Sequence, residues 1–128
     1  MEAKAVLEKG QVFAVIGLSD QPEKYSYKIY QCLKALGKEV YGISKRLKML
    51  EGECVYASLK DIPCDIDVAV FVVAPKYGSE YVLECKEKSV SYLWLQPGTY
   101  DDDLIEQIEV KHIPYYLDCV LRKAEEIA

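Results

Sequence analysis

Val12-Phe13-Ala14-Val15-Ile16-Gly17-Leu18-Ser19-Asp20-Gln21-Pro22 decides the fold. Val12 to Ile16 is an unbroken apolar run, the pattern of a strand covered on both faces. Gly17 ends it. Beyond the turn, Ile29, Leu33 and Leu36 recur at i, i+4 and i+7, a helical spacing. A strand, a glycine turn and a helix N-terminus together form an anion site. The first helical N–H groups lack partners within the helix, and the macrodipole favours negative charge there. The turn is not G-x-G-x-x-G: Gly17 fills the first glycine position, but Ser19 and Pro22 fill the others. Ser19 is expected to offer an N–H and a hydroxyl to a phosphate oxygen. Pro22 is expected at the helix start, where its missing N–H costs nothing. Gly17 is expected in a backbone geometry that a Cβ would strain.

The rest of the chain repeats the alternation. Strands are expected over residues 11–17, 38–43, 67–73, 92–96 and 113–116, with a short extended piece at 55–56. Helices are expected over 23–36, 77–88, 101–109 and 119–127, with a single helical turn at 58–61 and a polar loop at 44–52. The fold class is therefore α/β: a doubly wound, mainly parallel sheet with helices on both faces. At 128 residues the chain is expected to be one domain, 1–128, burying roughly two-thirds of its unfolded surface. In such a sheet ligands sit outside the carboxyl ends of the strands. This gathers the 17–22 turn, the 44–48 loop, the 73–77 turn and the 96–98 turn around one crevice.

The 44–48 loop narrows the ligand. A site for NAD wants an acid after the second strand, to hold ribose hydroxyls. Ser44-Lys45-Arg46-Leu47-Lys48 carries only positive charge, in a chain of net charge −5. Lysine and arginine pair with phosphate. The ligand implied is an adenine nucleotide with an additional ribose phosphate, which leaves NADP and coenzyme A (CoA). Tyr25, Tyr41 and Tyr77 fall near the crevice and are candidates to cover an adenine.

Other classes are excluded. The acidic balance argues against nucleic acid as a partner. No apolar run approaches the ~18 residues that span a bilayer, and no apolar segment of a signal peptide follows Met1-Glu2-Ala3-Lys4. The cytoplasm is the expected location. The 5 cysteines show no C-x-x-C spacing and the chain has 1 histidine, so neither a disulfide framework nor a zinc site is expected. Asp101-Asp102-Asp103 suits a solvated helix start. No G-x-S-x-G or P-loop pattern occurs, and no catalytic set is expected. Trp94 is expected in the core and His112 on the surface. Gln96, at a strand end, is either a polar wall of the crevice or a partner for turn amides.

Phe13 to Ser19, Pro22 to Tyr27, Val55-Tyr56-Ala57-Ser58-Leu59-Lys60-Asp61-Ile62-Pro63 and Trp94-Leu95-Gln96-Pro97-Gly98 together carry a resemblance. The chain resembles the small, single-domain CoA-binding proteins related to the CoA-binding domain of succinyl-CoA synthetase, from about residue 10 to residue 123. The resemblance implies a Rossmann-like fold with the 3′-phospho-ADP part of CoA lying across the strand ends. It implies phosphate-loop roles for Gly17, Leu18 and Ser19, and a basic contact at Lys24. It places Ser44, Lys45 and Arg46 in the loop after the second strand, and Val73, Ala74 and Pro75 in the next turn. Two departures stand out. The family often has Asn-Pro where this chain has Ser44-Lys45, and Asp118-Cys119-Val120-Leu121 sets a cysteine one residue earlier than Asp-Arg-Cys-Leu. One residue turns a side chain by about 100° on a helix and reverses it on a strand, so the Cys119 sulfur is expected to point away from the crevice. A thiolate there would draw on Lys123, one turn on. The function expected is binding of CoA or an acyl-CoA through its nucleotide half, without catalysis. The alternatives are an NADP-binding module or small reductase, and a regulatory or interaction domain with a degenerate site. The partner expected is the small-molecule CoA ligand; no protein partner is indicated.

Overall fold

The computed structural model describes residues 2–127. In chain order the elements are α1 (Ala3–Lys9), β1 (Val12–Ile16), α2 (Tyr25–Ala35), β2 (Glu39–Ile43), β3 (Met49–Leu50), β4 (Glu53–Tyr56) and a 3-10 turn (Leu59–Asp61). They continue as β5 (Val68–Phe71), α3 (Pro75–Glu87), β6 (Tyr92–Leu95), α4 (Asp102–Val110), β7 (Tyr115–Leu117) and α5 (Val120–Ile127). The strands form one 7-stranded sheet in the order β3-β4-β2-β1-β5-β6-β7. Every pairing is parallel except that of β3 with β4. The fold is α/β and Rossmann-like.

The apolar runs divide between two layers because successive side chains on a strand point to opposite faces. Ala14, Ile16, Ala69, Phe71, Leu93 and Leu95 point to one face, where Tyr81, Val82 and Cys85 of α3 and Leu104 and Ile108 of α4 cover them. Phe13, Val15, Val68, Val70 and Trp94 point to the other, beneath Val6 and Leu7 of α1, Ile29, Tyr30 and Leu33 of α2, and Val120 and Ala124 of α5. From β1 the chain crosses to β2 on one side, and later returns to β5 on the other. The connections diverge there and leave a crevice at the carboxyl ends of β1 and β5.

Several boundaries differ from expectation. The helix expected from residue 23 starts at Tyr25. Lys24 N donates to Gln21 O at 3.0 Å, which closes a turn with Pro22 at its second position; proline's fixed φ suits that position as well as a helix start. The strand expected to Val73 ends at Phe71. α1 was not expected; its 7 residues are too few to stand alone, and burial of Val6 and Leu7 stabilises them. The 44–52 loop contains a hairpin. Glu51 and Gly52, with φ of 52° and 83°, make the two-residue connection between β3 and β4. A glutamate is unusual with positive φ. Glu51 is tethered there by the Tyr27 hydroxyl (3.0 Å) and the Gln31 amide (2.8 Å) of α2.

α3 and α4 end alike. Ser89 and His112, each with φ of 58°, follow their last helical turns where glycine is usual. Val90 N reaches back to Cys85 O and Ile113 N to Ile108 O. α4 begins at the acidic run, with the Asp101 carboxylate accepting from Leu104 N at 2.8 Å.

Candidate functional site

The glycine turn is compressed against β5. A Cβ on Gly17 (φ +95°) would lie 2.6 Å from Val72 O and 2.7 Å from Val73 Cγ1. Gly17 N and Leu18 N both donate to Ile43 O, at 2.9 and 3.0 Å. Ser19 N donates to the buried Ser26 hydroxyl at 3.0 Å, and Ser19 Oγ accepts from Gln21 N at 3.1 Å. The expectation that Ser19 presents a free N–H is therefore corrected: the first amides of the turn are bonded within the protein. The first turn of α2 behaves differently. Among the described residues, the N–H groups of Tyr25, Ser26 and Tyr27 have no acceptor, since the first helical bond runs from Lys28 N to Lys24 O.

Beside this turn lies an open cleft of about 380 Å³. Gly17, Leu18 and Ser19 form one wall, and Ser44, Lys45 and Arg46 a second. Val73, Tyr77, Glu80 and Tyr81 complete it. The basic loop is held by its own serine. Ser44 N donates to Tyr56 O at 2.9 Å, while Ser44 Oγ accepts from Arg46 N and Leu47 N at 3.1 and 2.9 Å. This leaves the side chains of Lys45 and Arg46 exposed over the cleft. Lys45 Nζ lies 3.4 Å from Glu80 Oε2 and 5.5 Å from the centre of the Tyr81 ring. Arg46 is 3.9 Å from Asp20. Exposed pairs of this kind are worth about 0–1 kcal/mol, so a phosphate can displace either carboxylate. The neighbouring Tyr81 phenol, together with the Glu80 carboxylate, holds the Lys45 ammonium pKa above its ordinary value.

Other expected residues lie elsewhere. Lys24 precedes α2 as its cap and does not line the cleft. Ala74 and Pro75 are the cap and first residue of α3, just behind the wall. Tyr25 lines a second cavity rather than this one. Tyr41 is not among the residues that line the cleft, and its hydroxyl is engaged with Glu39 and with Cys64, 3.4 Å away. Glu80 and Tyr81 were not anticipated, although their spacing of three and four from Tyr77 places them on its face of the helix.

The second cavity, about 270 Å³, is lined by Tyr25, Val72, Gln96, Pro97, Cys119 and Arg122. Val72 and Val73 are consecutive, so the two cavities lie on either side of one dipeptide. Cys119 therefore reaches a cavity wall at the strand ends, contrary to the expectation from its displacement. It falls between β7 and α5, where neither helical nor strand periodicity applies. Lys123 is engaged with Asp118 (3.7 Å) and Glu126 (3.1 Å), so its charge is already compensated. Trp94 is fully buried.

The family profile described as CoA binding domain matches residues 11–124. The chain belongs to this CoA-binding domain family. Residues of this CoA-binding domain are 38% identical over 78 positions to the alpha subunit of acetate–CoA ligase [ADP-forming] II from Pyrococcus furiosus, covering 60% of this chain and 17% of that subunit. The chain thus spans less than a fifth of that relative. Protein YneT of Bacillus subtilis is 22% identical over 126 residues, covering 98% of this chain and 93% of its own. Among solved structures, a hypothetical protein from Pyrococcus horikoshii superposes with a TM-score of 0.91 at 26% identity, over 96% of this chain and 87% of that one.

Proposed function

We propose that the cleft binds CoA, or an acyl-CoA, through its 3′-phospho-ADP moiety, and that the domain holds this ligand without transforming it. The observation that carries the reading is the placement of Lys45 and Arg46. Both project from the loop after β2 into a cleft whose opposite wall is the Gly17–Ser19 turn. In a dinucleotide site an acid occupies that loop; here two cations suit a ribose phosphate. The pyrophosphate has donors in the free N–H groups at the start of α2. Tyr77, about half exposed at the edge of the cleft, offers an aromatic face to the adenine. Membership of the CoA-binding domain family supports CoA over NADP.

Calorimetry with CoA, dephospho-CoA, NADP and NAD in parallel tests this. CoA is expected to bind more tightly than dephospho-CoA by about 1.5–3 kcal/mol for each charge-assisted contact. Equal affinity for the two would remove the role given to Lys45 and Arg46. Tighter binding of NADP would make the domain an NADP module instead.

A further inference from the structure

Gln96 is 4% exposed, and its carboxamide can adopt only one orientation. Its Oε1 accepts from Trp94 Nε1 at 3.1 Å and from Val120 N at 2.7 Å. Both partners are donors, so the oxygen must face them and the nitrogen must face away. The backbone of Gln96 is equally fixed, because its carbonyl accepts from Thr99 N (3.1 Å) and Thr99 Oγ1 (2.7 Å). Among the described residues, Gln96 Nε2 has no acceptor, and Gln96 lines the second cavity. Among the described residues no buried side-chain polar atom lacks a partner, so this rigidly held donor pair is reached from the cavity and stands ready for an acceptor that enters it.

The surroundings define what fits. Val72, Pro97, Cys119 and the ring of Tyr25 make the walls mainly apolar, and the exposed Arg122 stands at the rim. A neutral acceptor with a small apolar substituent matches this lining. The cavity begins one residue from the nucleotide cleft, since Val72 lines one and Val73 the other.

On the reading that the nucleotide half of CoA occupies the first cleft, we propose that the second cavity receives a short acyl group, with Gln96 Nε2 donating to the thioester carbonyl. The domain is then a receptor for a short-chain acyl-CoA and discriminates it from free CoA. Gln96 is the specificity-determining residue, held in place by Trp94 and Val120.

The test compares CoA with acetyl-CoA on the ¹⁵N-labelled protein, by calorimetry and by the side-chain amide resonances of Gln96. One additional hydrogen bond corresponds to acetyl-CoA binding about fivefold more tightly than CoA. The Gln96 amide protons are expected to shift with acetyl-CoA and to move much less with CoA. In Gln96→Glu, one carboxylate oxygen still accepts from Trp94 and Val120, but the donor is gone. The acetyl preference is then expected to vanish while CoA affinity stays within about twofold. Equal affinity of the wild-type protein for CoA and acetyl-CoA overturns this proposal and leaves the nucleotide site standing. Equal Gln96 shifts with both ligands also overturn it, because they place the donor on the amide-bearing arm that the two share. Binding of neither ligand overturns the nucleotide reading itself. The wild-type measurements decide the matter even if Gln96→Glu fails to fold.

Discussion

Gly17→Ala isolates the contact between the glycine turn and the end of β5. Two costs are expected. The first is conformational: a side chain at a φ of +95° is strained by about 1–2 kcal/mol. The second is steric. The added Cβ would sit 2.6 Å from Val72 O, a backbone atom that moves only if the chain after β5 moves. Overpacking of this kind costs about 1–3 kcal/mol. Gly37→Ala supplies the control. Gly37 has a φ of +82° with nothing within 4 Å of the added atom, so it carries the first cost alone. Both substitutions also restrict the unfolded chain to the same degree, and that contribution cancels in the difference. Gly17→Ala is therefore expected to destabilise by about 1–3 kcal/mol more than Gly37→Ala. A domain stable by about 5–15 kcal/mol remains folded in both variants. Urea unfolding measures the pair, with unchanged m values as the condition for comparing midpoints. Calorimetry should show weakened CoA binding in Gly17→Ala and unchanged binding in Gly37→Ala. Equal destabilisation of the two would refute the reasoning, because it would mean that Val72 yields freely and does not wall the site.

Ser89→Gly and His112→Gly are each expected to stabilise the protein by about 0.5–1 kcal/mol, because glycine accepts the left-handed geometry after α3 and α4; thermal unfolding would show it, and a lowered midpoint would count against that account. Glu80→Gln removes the carboxylate that competes for Lys45, so CoA should bind about two- to fivefold more tightly at low salt while dephospho-CoA is unaffected; weaker binding of both would make Glu80 a direct ligand contact. The pH profile follows from the groups involved. Lys45, with its pKa raised, stays charged through pH 9, whereas a phosphate monoester takes up its second proton near pH 6. Affinity for CoA should be flat from about pH 7 to 9 and fall below about pH 6; a fall between pH 8 and 9 would exclude Lys45 as the phosphate partner.

The sheet was legible because its strands are dense in Val, Ile, Leu and aromatic residues, as in Val68-Ala69-Val70-Phe71, and because the helices between them carry their own spacing. Elements resting on tertiary contacts alone were not. α1 has no side-chain cap and needs the core for its stability. The β3–β4 pairing is too short to show periodicity, and its turn depends on Glu51 being held from α2. The basic loop was visible from charge alone. Which amides remain free was not, because the competitors for the Gly17–Ser19 donors, Ile43 O and Ser26 Oγ, lie on other elements. Gln96 was visible as a polar residue at a strand end. The direction of its nitrogen depends on two donors, Trp94 Nε1 and Val120 N, that the fold brings together.

The double acceptance at Ile43 O has a thermodynamic consequence. That one carbonyl takes both Gly17 N and Leu18 N, and Ser44, the next residue, folds the basic loop upon itself. The two walls of the nucleotide cleft are thus joined through a single peptide unit and have little freedom to move apart. A ligand entering between them has only exposed side chains to immobilise, chiefly Lys45, Arg46 and Tyr77, each at a cost of about 0.5–1.5 kcal/mol. Association should accordingly proceed as a single bimolecular phase, its rate constant proportional to ligand concentration and lowered by salt rather than capped by a slow rearrangement of the backbone.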